Sequence, residues 1–151
     1  MHHFSRRIAL RGLALLAAGA TPAMRSRAFA AEKEPLAIRG YDPVAYFTIG
    51  RPVTGLPEIE YEWDEYRYHF ASVEHRELFK ADPARYAPQF ANFCAMSLTR
   101  GNLVEANPEY WLISEGRLYI FARSVGPDLF QQDLFENVAK AHQNRALILK
   151  R

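Results

Sequence analysis

Few residues after position 31 can do chemistry beyond acid–base pairing. Cys94 is the only cysteine, and Met96 follows it by two positions. Three histidines, His69, His75 and His142, are widely spaced along the same stretch. Thiolate and thioether are soft donors that select Cu(I), and imidazole suits Cu(II) and zinc as well. Residues two apart on an extended segment point the same way. Cys94 and Met96 can therefore form a soft half-site that His75 or His69 could complete, a set that would suit a copper ion without naming the cofactor. No C-x-x-C, H-x-x-x-H or H-E-x-x-H spacing accompanies it. A thiol can also act as a nucleophile when a base lies beside it. Yet there is no G-x-S-x-G, P-loop or dinucleotide fingerprint, and a lone thiol cannot run a dithiol cycle. The residues point to binding rather than to an enzyme, and no catalytic residue is assigned; a Cys/His enzyme is the weakest alternative.

Each candidate also has a plainer use. Cys94 lies among Phe90, Phe93 and Ala95 as a small buried hydrophobe, with Met96 as core filler. His69 has a cross-strand partner in Glu60 on an exposed hairpin face. His75, early in a helix, is half-buried and hydrogen-bonded; His142 is a solvated helix-end residue. Of the 20 Phe, Tyr and Trp residues, all but Phe4 and Phe29 follow Ala30. That set either packs a core or walls a cavity for an apolar molecule such as haem. In the second case Tyr41, Asp42 and Tyr68 are the candidate ligand-binding residues, although Tyr41 and Asp42 read first as turn and cap. The strip Glu58, Glu60, Glu62, Asp64 is a solvated face or a contact for a basic protein partner.

The elements that must position these residues are legible from periodicity. Residues 58–64 (EIEYEWD) and 66–71 (YRYHFA) alternate strictly. A turn at Asp64-Glu65 pairs Trp63 with Tyr66, Tyr61 with Tyr68 and Ile59 with Phe70 on one face. On the other it pairs Glu62 with Arg67 and Glu60 with His69. Residues 110–121 (YWLISEGRLYIF) form a second hairpin closed by Glu115-Gly116; it is apolar on both faces and therefore expected at the centre of the sheet. Asp42-Pro43 and Asp82-Pro83 are caps followed by proline, Ser72 caps a helix running to about Ala81, and a longer helix spans about Asp128 to Asn144 with Phe130, Leu134, Val138 and Ala141 buried. The expected fold is α+β: a small antiparallel sheet built from two hairpins, packed with short helices and a longer C-terminal helix. No internal repeat is visible.

The N-terminus reads as an address. Ser5-Arg6-Arg7 precedes an alanine-rich apolar run at 13–20, and Ala28-Phe29-Ala30 offers an A-x-A site. This is a twin-arginine signal peptide over residues 1–30, cleaved after Ala30, which places the mature protein in a bacterial periplasm. The run is too short for a stable span, so no membrane insertion of the mature form is expected. Residues 31–39 then form a linker and 40–151 a single domain. Of 19 Lys and Arg, Arg6, Arg7, Arg11, Arg25 and Arg27 precede residue 31, and no acid does; the remainder carries 14 basic against 17 acidic residues, a net charge of −3. Such a body does not suit nucleic acid. One cysteine in an oxidising compartment can form no internal disulfide.

The motifs GYDPVAYF (40–47), YHFAS (68–72), LFKADPARYAPQF (78–90), Cys94-Ala95 and GRLYIF (116–121) together resemble the YHS-domain proteins, in particular their exported single-domain branch. The resemblance spans Gly40 to about Arg145 and implies a metal-binding, copper-type role. In the family's short versions the patterns are D-P-V-C and Y-x-F-C-S-x-x-C. Here Ala45 and Ala71 stand at the first two cysteines and His75 at the third, while Cys94 matches a cysteine of the longer branch. His142 and Arg145 replace an acidic residue and a tryptophan of that branch. The resulting expectation is an exported, non-enzymatic protein that binds metal through Cys94, His75, His69 and Met96, or that binds a small molecule. The alternative is a cofactor-free structural or partner-binding periplasmic protein.

Overall fold

The computed structural model describes residues 33–150. The Arg6-Arg7 pair, the apolar run and the cleavage position after Ala30 lie outside the described residues. The fold is α+β. Among the described residues two antiparallel hairpins, each a separate two-stranded sheet, pack with six α-helices, of which the last is the longest.

The first hairpin joins β1 (Leu56–Trp63) to β2 (Tyr66–Phe70). Glu60, Tyr61, Glu62 and Trp63 meet His69, Tyr68, Arg67 and Tyr66, the register that the two alternating faces require. Asp64 and Glu65 form the tight turn, both in the left-handed region (φ 48° and 65°). Phe70, however, meets Leu56 and not Ile59, because the ladder is irregular between Leu56 and Glu60. Pro57 lies in that gap and has no N–H to give to a ladder. The second hairpin, β3 (Asn107–Ser114) and β4 (Arg117–Phe121), turns at Glu115-Gly116 and has the same irregularity beside Pro108. Among the described residues no larger sheet surrounds it, so it is not a pair of central strands there. Helices and loops supply the cover: β4 is buried from Leu118 to Phe121, and β3 is mostly half-buried.

The caps are where the side chains demand them. Asp42 Oδ1 accepts from Val44 N (2.8 Å) and opens α1 (Ala45–Thr48). Ser72 Oγ accepts from His75 N (3.1 Å) at the start of α2 (Val73–Ala81), and Asp82 Oδ1 accepts from Arg85 N (3.3 Å) at α3 (Pro83–Tyr86). A further short helix, α4 (Ala95–Leu98), follows Cys94. The long helix expected over 128–144 is two helices, α5 (Gly126–Gln132) and α6 (Leu134–Ile148). The break is at Asp133 (φ −142°, ψ 61°), and Asn137 Nδ2 satisfies the carbonyl of Phe130 (3.1 Å) at the end of α5. The expected linker is already packed from Leu36, which bridges to Arg67, and Ala37 and Ile38 are buried. Asn92 clamps this segment: Ile38 N donates to its Oδ1 (2.6 Å), and its Nδ2 donates to Leu36 O (3.0 Å).

The backbone also repeats. A shift of 51 residues carries Leu56 to Asn107 and Phe70 to Phe121 at the ends of the two hairpins. The same shift carries Phe79 on α2 to Phe130 on α5, and Asp82 to Asp133, which share a non-helical conformation (φ −151°, ψ 75° against φ −142°, ψ 61°). Upstream, a shift of 52 carries Asp42 to Cys94: Asp42 N donates to Val53 O and Cys94 N to Val104 O, each at 2.8 Å. Each half is thus a capped short helix, a hairpin, and a helix whose phenylalanine plugs that hairpin. Phe79 lies 4.7 Å from the Tyr68 ring and 5.2 Å from Phe70; Phe130 lies 5.2 Å from Tyr119 and 5.4 Å from Phe121. Tyr46 ties the halves together by an edge contact on Trp111 (5.3 Å) and a hydrogen bond to Pro108 O (2.9 Å). Among the described residues no helix is long and apolar enough to cross a membrane.

Candidate functional site

The repeat makes two equivalent neighbourhoods, one around Asp42 and one around Cys94. In the first, Asp42 is 0 % exposed and both its oxygens are used. Oδ1 accepts from Val44 N (2.8 Å) and Ala45 N (3.3 Å). Oδ2 accepts from Ala71 N (2.8 Å) and lies 2.6 Å from His75 Nδ1. The other ring nitrogen, Nε2, is 3.0 Å from Thr48 Oγ1. A carboxylate behind a histidine orients the ring for metal binding or proton transfer. Here, though, both nitrogens of His75 are engaged, and an ion would have to displace Thr48. The half-buried, hydrogen-bonded histidine expected from the sequence is what the fold contains, with Asp42 as its partner.

His69 does sit across from Glu60, but it is buried, at 7 % exposure, rather than on an open face. Its Nε2 lies 2.9 Å from Arg67 Nη1, which also donates to Glu60 Oε2 (3.1 Å). A guanidinium can only donate, so Nε2 must accept. Burial, then the Arg67 charge, hold the His69 pKa below the usual imidazole value. Its accessible lone pair is therefore already committed. Tyr68 is a core residue against Phe79, and burial pushes its phenol up. Tyr41 turns its hydroxyl to Glu109 Oε1 (2.7 Å), a bond that raises its pKa. His142 packs on the edge of Phe90 (4.8 Å), and burial lowers its pKa.

Cys94 is 3 % exposed and caps α4, its Sγ accepting from Ser97 N at 3.4 Å. Beside it is a cleft of about 290 Å³ between α4, the turn after β4, and α5. Cys94, Met96, Ser97, Ala122, Gly126 and Leu129 line it, together with Val104, Val125, Arg100 and Arg123, which are exposed. Gly126 is required there, since a Cβ would come within 2.6 Å of the Phe121 side chain. The repeat explains why this cleft exists. Asp42 becomes Cys94, His75 becomes Gly126, and Thr48 becomes Arg100. The carboxylate and imidazole that fill the first neighbourhood have no counterpart in the second.

The four metal candidates thus divide. Cys94 and Met96 share the cleft; His75 and His69 are not among its lining residues. Among the described residues no group of three or more His, Cys, Asp or Glu side chains could hold a metal ion. Sequence reading missed Asn92, Arg100, Arg123 and the role of Gly126. No protein-family model, curated protein or solved structure matches the chain.

Proposed function

We propose that the protein is a non-enzymatic binding protein of the exported YHS type, and that it holds a small ligand in the cleft between α4 and α5. One observation carries this reading: Cys94 and Met96, two of the residues selected by their chemistry, open onto a single partly enclosed cleft of about 290 Å³. Ligand sites begin at roughly 300 Å³, so the occupant is small. At ~30 Å³ for each water-sized group it has about ten non-hydrogen atoms. Native mass spectrometry of the mature protein purified from periplasm tests this. A retained mass of that size, lost when Leu129→Trp fills the cleft, is the expected result. A bare chain in both cases favours a cofactor-free structural or partner-binding role.

A second reading is favoured by the sulfur pair itself. Cys94 thiolate and Met96 thioether fit a soft monovalent ion, and Cu(I) is the metal such donors select. His75 and His69 add nothing to this pair without breaking the hydrogen bonds described above. Stoichiometric copper that disappears in Cys94→Ser is the result this reading requires.

A further inference from the structure

We infer that the ligand is an organic monoanion with an apolar tail, and that its anionic group takes the place, in the second half of the repeat, that the Asp42 carboxylate occupies in the first. The inference rests on the small-ligand reading of the cleft. In the first half, a carboxylate oxygen lies between the Ala71 N–H (2.8 Å) and the His75 ring (2.6 Å). Shifted by 51 residues, Ala71 becomes Ala122, a lining residue of the cleft. Cys94, standing where Asp42 stands, brings no carboxylate of its own. The cation is present but comes from other positions: Thr48 and Ser72 become Arg100 and Arg123.

The charges point the same way. Two guanidiniums and no acidic residue line the cleft. Arg39 pairs with Glu105, Arg67 with Glu60, Arg76 with Glu77, and Arg117 with Gln89, whereas Arg51, Arg85 and Arg145 make no such bond among the described residues. Among the described residues Arg100 and Arg123 have no such ion pair or side-chain hydrogen bond, so their donors are open to a ligand. A free metal cation would face both positive charges unaided by a carboxylate. A nucleobase would find no aromatic ring to stack on, and a sugar would find one hydroxyl, Ser97. What remains is apolar: Val104, Val125 and Leu129 are 42 %, 55 % and 38 % exposed around the opening. A short hydrocarbon tail would cover them while its head group meets the arginines.

Octanoate, with about ten non-hydrogen atoms, is the probe that fits the volume; 1-octanol is the neutral control. Titration calorimetry on the mature protein should give tighter binding of octanoate than of octanol. Arg100→Gln and Arg123→Gln, both at exposed positions, should each weaken octanoate about tenfold and leave octanol unchanged. Cys94→Asp should supply the missing carboxylate internally and abolish octanoate binding. Val125→Glu, at a position 55 % exposed, repeats the test without touching the interior: it removes a tail contact that both probes share and adds a like charge for one, so it should weaken octanoate more than octanol. Equal binding of octanoate and octanol, unaffected by the arginine variants, would overturn the anion assignment and leave the small-ligand reading standing. If neither probe binds, the inference fails. The retained mass sought above then decides separately whether the cleft holds some other ligand.

Discussion

Asp42 should be the most expensive polar side chain in the molecule to remove. It is 0 % exposed, and its two oxygens join the start of α1, the end of β2 and the first turn of α2. Asp42→Ala loses the cap at Val44 and Ala45, about 1 kcal/mol. It leaves the Ala71 N–H without an acceptor, about 1–2 kcal/mol, and removes the close bond to His75, about 1.5–3 kcal/mol for a charge-assisted contact. Together these come to about 3.5–6 kcal/mol, against about 5–15 kcal/mol for a whole domain. Asp42→Asn keeps one acceptor but turns an amide N–H toward either Ala71 N or His75 Nδ1; about 2–4 kcal/mol is expected. His75→Ala should cost about 1.5–3 kcal/mol, and the double variant should show coupling of similar size. Equilibrium urea unfolding of the protein, followed by far-ultraviolet circular dichroism, reads all four. Losses below about 1 kcal/mol for Asp42→Ala, or no coupling to His75, would refute the assignment of Asp42 as the joint of the first half.

Three further outcomes follow from the same structure. His69 and His142 both have folded pKa values below that of the unfolded chain, chiefly through burial. The unfolded state therefore binds more protons below about pH 6.5, so stability is full above that pH and declines as pH falls from it; a thermal midpoint independent of pH between 8 and 5 would contradict this. Gly126→Ala should cost about 1–3 kcal/mol, because its Cβ would meet Phe121 at 2.6 Å; an unchanged urea midpoint would show that α5 can back away freely. Replacing Asp64-Glu65 by Asn-Gly should add about 1 kcal/mol, since both positions have φ near +50° to +65°; a loss of stability would mean the native side chains do more than turn the chain.

Much of the fold was written in local chemistry. The first hairpin's register follows from two alternating faces, and the caps at Asp42, Ser72 and Asp82 follow from short side-chain acceptors before helical stretches. The slip beside Pro57 was not read, because a missing N–H changes pairing without changing the hydrophobic pattern. The break at Asp133 was hidden for a related reason: Phe130, Leu134, Val138 and Ala141 keep helical spacing, whereas Asn137 caps α5 across the interruption. The repeat was invisible because its halves share geometry more than residue types. Pro57 and Pro108, Tyr68 and Tyr119, Phe70 and Phe121, and Phe79 and Phe130 match, but Asp42 and Cys94 do not. For the same reason the sequence could nominate Cys94 and Met96 but could not separate them from His75 and His69. Whether a histidine is open or already bonded depends on partners such as Asp42 and Arg67, one of them distant in the chain.

The most direct test of the proposed binding at the cleft between α4 and α5 is an amide chemical-shift map of the protein titrated with octanoate. The two halves serve as each other's control. The account predicts shifts at Ser97, Ala122, Gly126 and Leu129, with their counterparts Ala45, Ala71, His75 and Leu78 unmoved. Shifts centred on the Asp42 neighbourhood, or no localised shifts, would contradict it.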